Sequence, residues 1–311
     1  MPELYNTLFN LTNNSNDDPK DIAMEIINQL HGHSDLDCIS DYYDINDYNK
    51  LLNQNINNLN ILHINSRSLP KNFDNITAFL NTLITPPDIL AVTETWLTDI
   101  NKEYFQLTGY HLYHLVRNRR AHGGVSIFVS NHIKSIQIKE LLILNDHIEM
   151  NTIRITINSA TYILCTIYRP HSKHEAVEEF TDFLCTLLQK NVIKNEKVII
   201  IGDLNINLLE HTTHNATNNY LAALQICNFF PHISRPTRFP DNESLSEPSL
   251  LDHIYTNFYS NFTSGIVHYS VSDHPVFINF SFETQVYKTY KYNFRSFSET
   301  NKQFLLTKLV L

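Results

Sequence analysis

The 311-residue chain is short of positive charge, of glycine and of long apolar runs. Its 23 Lys and Arg stand against 32 Asp and Glu, a formal net charge of −9 with the 16 His neutral. That balance excludes a globally basic nucleic-acid binder, so any such contact has to come from a local patch. It is compatible with a site that gathers carboxylates around a divalent cation. No apolar run approaches the roughly 20 residues of a bilayer-spanning helix, and the opening "MPELYNTLFNLTNNSNDD" is polar throughout, without a secretory core. The 4 cysteines (Cys38, Cys165, Cys185, Cys227) lack the paired spacing of a zinc site and read as buried free thiols. An intracellular location is the resulting expectation. No internal repeat is visible, and no Pro/Gly-rich linker interrupts residues 58–283, which read as one domain.

What is present is a globular core, with 42% hydrophobic and 11% aromatic residues. Short Ile- and Val-rich runs, among them "LNILHIN", "DILAVTE", "GGVSIFVS", "ATYILCTIY", "EKVIIIGD", "LLDHIYTN" and "HPVFINFSF", have the character of strands. "FDNITAFLNTLI", "EAVEEFTDFLCTLLQ" and "TNNYLAALQIC" carry apolar residues at helical spacing. Many strands with few helices predict an α/β architecture of two packed sheets flanked by helices. Residues 1–57, rich in Asn and Asp, read as a poorly ordered leader with one short helix near Ile22–Leu30. Residues 284–311 read as a C-terminal extension, with Ser298 as a cap and Phe304, Leu305 and Leu309 as an apolar stripe. That stripe stops at Leu311 without a closing cap, which predicts either a truncated helix or one docking back on the core.

Polar residues recur where the apolar runs end: Asn65, Glu94, Tyr168, Asp203 with Asn205, Asp252, and Asp273 with His274. Each has an ordinary alternative, such as a turn, a helix start or a surface position. Gly202 reads as a tight turn at a sheet edge. Together these residue types suit phosphodiester hydrolysis, which needs charge neutralisation at the phosphate, an activated water and donors for the developing oxyanion. Glu94 is a hard oxygen ligand of the kind Mg2+ takes. Asp203 can orient or deprotonate water, and Asn65 and Asn205 can hold phosphate oxygens or Asp203 without adding repulsion. His274 can donate to the phosphate with Asp252 fixing its tautomer, and Tyr168 supplies a hydroxyl.

The series "INSRSL", "ETWL", "HGGVSIFV", "IYRP", "GDLNINLL", "RPTRF", "SLLDHIYTN" and "SDHPVF" resembles the ordered motifs of the endonuclease/exonuclease/phosphatase superfamily. More narrowly, it resembles the apurinic-endonuclease-like domain of non-LTR (LINE-type) retrotransposon polyproteins. The resemblance implies a four-layer α/β sandwich whose two mostly antiparallel sheets pack face to face between helices. It implies catalytic roles for Asn65, Glu94, Tyr168, Asp203, Asn205, Asp252, Asp273 and His274, with Glu94, Asn65 and Asp273 at a Mg2+ or Mn2+ ion. Thr237 and Ser249 match positions lining a DNA-facing cleft, Arg235 and Arg238 phosphate contacts, and Arg119 and Arg120 of "RNRR" a cleft-adjacent basic loop. The implied partner is double-stranded DNA, nicked to leave a 3′-hydroxyl in the nucleus, with a reverse transcriptase in the same parent polyprotein. A phosphoesterase of the same fold acting on a small phosphoester, and an inactive retrotransposon relic, are the competing readings.

Overall fold

Along the strand Leu59–Asn65 the side chains alternate between two destinations, and the layers of the molecule follow from that alternation. Leu59 and Ile61 enter a core formed between two sheets, whereas Leu62 and Ile64 meet the helix residues Ile76 and Phe79. This computed structural model describes residues 40–117, 122–171, 176–190, 192–239, 247–269 and 275–281. The first strands in chain order are β1 (Asp41–Tyr43), β2 (Leu59–Asn65), β3 (Ile89–Thr93), β4 (Tyr110–Leu115) and β5 (Val125–Ser130). Next come β6 (Lys134–Gln137), β7 (Ile143–Leu144), β8 (Glu149–Ile157), β9 (Ala160–Tyr168) and β10 (Lys197–Asp203). The last are β11 (Phe230–Pro231), β12 (Asp252–Thr256), β13 (Phe262–Val267) and β14 (Val276–Phe280). The helices are α1 (Ile45–Gln54), α2 (Leu69–Asn81), α3 (Val177–Leu188) and α4 (Asn215–Ile226).

One sheet has the order β1-β13-β14-β2-β3-β5-β4, and the other β11-β12-β10-β9-β8-β6 with β7 beside β8. Only the pairs β1/β13, β2/β3 and β9/β10 run parallel among the described residues. The sheets stack face to face, with α1 and α2 packed outside the first and α3 and α4, which touch each other, outside the second. This is the expected four-layer sandwich.

Asp41–Gln54, expected to belong to a poorly ordered leader, is instead part of the domain. β1 adds to the sheet edge through Asp41↔Gly265, Tyr42↔Ile266 and Tyr43↔Val267, and α1 buries Tyr48, Leu51 and Leu52. The physical reason is local: Asp44 caps α1 by accepting from the Asp47 N–H at 2.8 Å, and the apolar residues fall on one face. The short helix expected near Ile22–Leu30 and the stripe from Ser298 to Leu309 lie outside the described residues.

Gly202 is not a turn residue. It lies within β10, opposite Ile167 on one side and His253 on the other, with φ +149°. A Cβ there would stand 1.8 Å from the Ile167 carbonyl oxygen, so the close approach of β9 requires glycine. Gly202→Ala is expected to destabilise the fold by about 2–4 kcal/mol; an unchanged thermal melt would refute this account. A second expectation concerns acid. His253 is fully buried between Ile206 O at 2.9 Å and the Tyr220 hydroxyl at 3.3 Å, and burial lowers its pKa from 6.5 to about 4. The unfolded chain therefore binds a proton near pH 6 that the folded one refuses, so stability falls as pH drops from about 6.5 towards 4. Unfolding free energies from urea titrations at pH 7 and pH 5 should differ by about 1–2 kcal/mol from this residue, and His253→Gln should narrow the gap.

Candidate active site

In the second sheet the strand register lines up four polar residues at one level. Glu149 pairs with Tyr168, Tyr168 with Asp203, and Asp203 with Asp252. Asp252 begins its strand rather than following one, because β12 runs antiparallel to β10. Opposite this row, the inner face of β2 changes from Leu59 and Ile61 to His63 and Asn65, and the chain leaving β3 turns through Glu94. The interior of the sandwich is thus apolar along most of its length and polar at one end.

Asn65 joins the two sheets. Its Nδ2 donates to Glu94 Oε1 at 2.9 Å and to Asp203 Oδ2 at 2.6 Å, while its Oδ1 accepts from the Arg67 N–H at 3.1 Å. Asp203 Oδ1 accepts from the Asn205 backbone N–H at 3.1 Å, and the Asn205 amide donates to Arg169 O at 2.7 Å. Asn205 thus supports Asp203 through its backbone, and its side chain fixes the exit of β9. Glu94 and Asn205 have φ values of 50° and 49°. Asn tolerates this left-handed region; Glu adopts it only when its surroundings impose it. Here Ser66 Oγ and Ser68 N–H donate to Glu94 O, and the next two N–H groups donate to Gly124 O and Gly123 O.

Burial, then the carboxylates of Glu94, Asp203 and Glu149, push the Tyr168 hydroxyl well above its usual pKa, so it remains a proton donor. Asp252 Oδ2 accepts from the Thr237 hydroxyl at 2.6 Å, and Oδ1 lies 3.5 Å from His63 Nδ1. Burial lowers the His63 pKa to about 3, so this His is neutral and the contact is not an ion pair. Glu149 is fully buried and its pKa is raised by burial, against the opposing pull of the Gly124 N–H and Arg117, both of which it contacts.

A cleft of roughly 640 Å³ opens over this end of the sandwich. Asn65, Glu94, Tyr168, Asp203, Asn205 and Asp252 all line it, so six of the residues singled out in the sequence share one cavity. Arg238 lines it as well. Thr237, expected to face DNA, is fully buried with its hydroxyl committed to Asp252, which makes it an orienting residue. Ser249 pairs with Arg238 through the backbone at the rim. Arg235 does not line the cleft; it donates to Ser40 O at 2.7 Å and pairs with Asp41 at 3.1 Å. Asp273, His274, Arg119 and Arg120 lie outside the described residues.

Sequence reasoning missed His63, Glu149 and the cleft residues Arg67, His171 and His214, and it took Arg117 of "RNRR" only as part of a basic loop, not as the partner of Glu149. Glu149 had a signal, as a carboxylate opening the otherwise apolar and neutral start of a strand. His63 had none, since a lone His in an apolar run is an ordinary core residue.

The donor set bears on a metal. No group of three or more His, Cys, Asp or Glu side chains converges among the described residues. Mg2+ does not need one, since it keeps several waters and takes one or two protein carboxylates. Glu94 fits that demand: only its Oε1 is taken by Asn65, and it lines the open cleft.

A family model described as the endonuclease/exonuclease/phosphatase family matches residues 54–274. A search of curated proteins found no match. Solved structures do resemble the chain. The endonuclease domain of TRAS1, a telomere-specific non-LTR retrotransposon, is 13% identical with a TM-score of 0.54, covering 72% of this chain and 98% of that one. An AP endonuclease from Archaeoglobus fulgidus is 16% identical with a TM-score of 0.53, covering 71% and 99%. The 3′-5′ exonuclease NExo from Neisseria meningitidis is 15% identical with a TM-score of 0.53, covering 71% and 99%. At these identities the likeness is one of fold. The family match, by contrast, spans more than half of the sequence and takes in Asn65, Glu94, Asp203 and Asp252 together, and the chain belongs to the endonuclease/exonuclease/phosphatase family.

Proposed function

We propose that this protein is a divalent-metal-dependent DNA endonuclease that cuts one strand to leave a 3′-hydroxyl. The observation that carries the reading is the single amide of Asn65 bonded to both Glu94 and Asp203 on the floor of the cleft. That arrangement puts a carboxylate able to accept a proton from water beside one able to hold a cation.

A Mg2+ ion held by Glu94 would supply charge neutralisation at a phosphate oxygen. The chain's own groups divide the remaining work. Asp203, fixed by Asn65 and by the Asn205 N–H, orients the attacking water and accepts its proton. Tyr168, kept protonated by burial and its carboxylate neighbours, donates to a phosphate oxygen. By the motif resemblance His274 would donate to the phosphate, with Asp252, itself held by Thr237, fixing its tautomer, and Asp273 would contribute to the metal site. Arg238 contributes positive charge at the rim. A nick with a 3′-hydroxyl would serve a reverse transcriptase as primer in the nucleus, a role that rests on the motif resemblance to non-LTR retrotransposon endonucleases.

The purified protein is expected to convert supercoiled plasmid to open circles with Mg2+ and to stop on adding EDTA. Asp203→Asn and Glu94→Gln should each lower the nicking rate by about 10²–10⁴-fold with an unchanged circular-dichroism spectrum. Nicking that survives both substitutions would sink the assignment. Turnover of a soluble phosphomonoester far above plasmid nicking would move it to the small-substrate reading. In a separate measurement, Tyr168→Phe should lower kcat more than it raises KM, because its donor acts on charge that develops during reaction.

A further inference from the structure

We propose that Tyr42 and Phe239 form a base-stacking platform that grips a nucleotide flanking the scissile phosphate. The proposal rests on the DNA-cleaving reading above and adds to it a contact made by β1, which precedes the matched family segment.

Both rings are partly exposed, 38% for Tyr42 and 45% for Phe239, and their centroids lie 6.0 Å apart at 52°. They lie far apart in the chain, and the segments that carry them are held together by a dense lacing. The Tyr42 hydroxyl donates to Pro236 O at 2.9 Å, and the Arg235 guanidinium lies 5.8 Å from the centre of the Tyr42 ring. Arg235 also donates to Ser40 O, and Ser40 Oγ accepts from the Ser234 N–H at 2.9 Å. A pair of side chains this far apart in sequence and this firmly strapped is a preformed feature, so little ordering entropy opposes its use.

Its position points to the occupant. Pro236 precedes Thr237, whose hydroxyl holds Asp252 on the cleft wall, and Phe239 follows Arg238, which lines the cleft. Neither ring lines the cleft itself; the pair adjoins it through residues 236–239, whose Arg238 lines the cleft and whose Thr237 holds Asp252. Exposed aromatic rings beside arginine suit the faces of nucleobases, and base–aromatic stacking is worth about 1–3 kcal/mol per base and tolerates any sequence. Charge does not explain the patch, because Asp41 offsets Arg235 at 3.1 Å. The contact is thus one of ring on base, strongest where a base is unpaired or easily unstacked.

The test uses a fluorescein-labelled duplex with a single-nucleotide bulge next to the cut site, read by anisotropy and by nicking kinetics. Tyr42→Ala and Phe239→Ala should each weaken binding and raise KM by about tenfold. The slope of affinity against salt should stay the same, since no phosphate contact is lost. Tyr42→Phe and Phe239→Tyr, which keep the rings, should stay close to wild type, and so should Tyr259→Ala, an exposed aromatic elsewhere. Phe239→Ala decides the matter if Tyr42→Ala loosens β1. Alanine variants with unchanged KM on a wild-type protein that does nick would overturn the platform alone. Tyr42→Phe losing as much as Tyr42→Ala would also overturn it, since the hydroxyl strap rather than the ring would then matter. A wild-type protein that neither binds nor cuts DNA would remove both the platform and the function it rests on.

Discussion

The amide of Asn65 is the point on which the site is hung. Two carboxylates from different sheets, Glu94 and Asp203, accept from one nitrogen at 2.9 and 2.6 Å. Like charges bridged by a single atom repel by on the order of 3 kcal/mol at an effective dielectric near 20. Two charge-assisted hydrogen bonds, each worth roughly 1.5–3 kcal/mol, are of the size needed to offset that repulsion. The pair is held near balance rather than deeply stabilised, a condition that favours binding of positive charge at the same spot. Only a neutral side chain with two donor hydrogens can do this from the middle. An aspartate at position 65 would add a third charge, and a leucine would leave both acceptors facing one another.

Local strain collects at the same place. Glu94 sits at φ 50° and Asn205 at φ 49°, the one next to β3 and the other two residues beyond Asp203. The backbone of residues 94–96 is pinned by Ser66, Ser68 and the Gly123–Gly124 pair. Gly123 and Gly124 leave no room for a Cβ, since one would meet Glu149 Oε1 and the other Thr95 Oγ1. The loop carrying Glu94 is therefore locked from the side of Glu149, whose carboxylate is buried and paired with the partly buried Arg117.

Much of this was legible in the sequence because strands write their burial plainly. "LNILHIN" coincides with β2 from Leu59 to Asn65, and "ATYILCTIY" with β9. The three helices read from apolar spacing also exist within a few residues of their expected bounds. The missed elements carry weaker patterns for physical reasons. β4, "YHLYHL", is an edge strand with no fully buried residue, and β8, "EMNTIRITI", puts Glu, Asn and Thr into buried positions. β1 has only 3 residues and earns its place through pairing with β13, a partner more than 200 residues away that no local window can see. The site residues Asn65, Glu94, Tyr168, Asp203, Asn205 and Asp252 were legible as polar ends of apolar runs. The partners His63 and Glu149 were not, and Thr237 was read as facing DNA rather than holding Asp252, because these residues take their meaning from register and contact.

Register also explains why Gly202 matters more than a turn residue would. Tyr168, Asp203 and Asp252 are usable together because β9, β10 and β12 place them side by side. A slip of one residue in β10 would send Asp203 to the opposite face and bring Gly202 inward in its place. The Ile167 carbonyl lies so close to Gly202 that only glycine is accepted there. That steric demand favours the one alignment in which Gly202 faces Ile167 and Asp203 faces Tyr168. The glycine before Asp203 thus sets the pairing of the strand, and the pairing delivers Asp203 to Asn65.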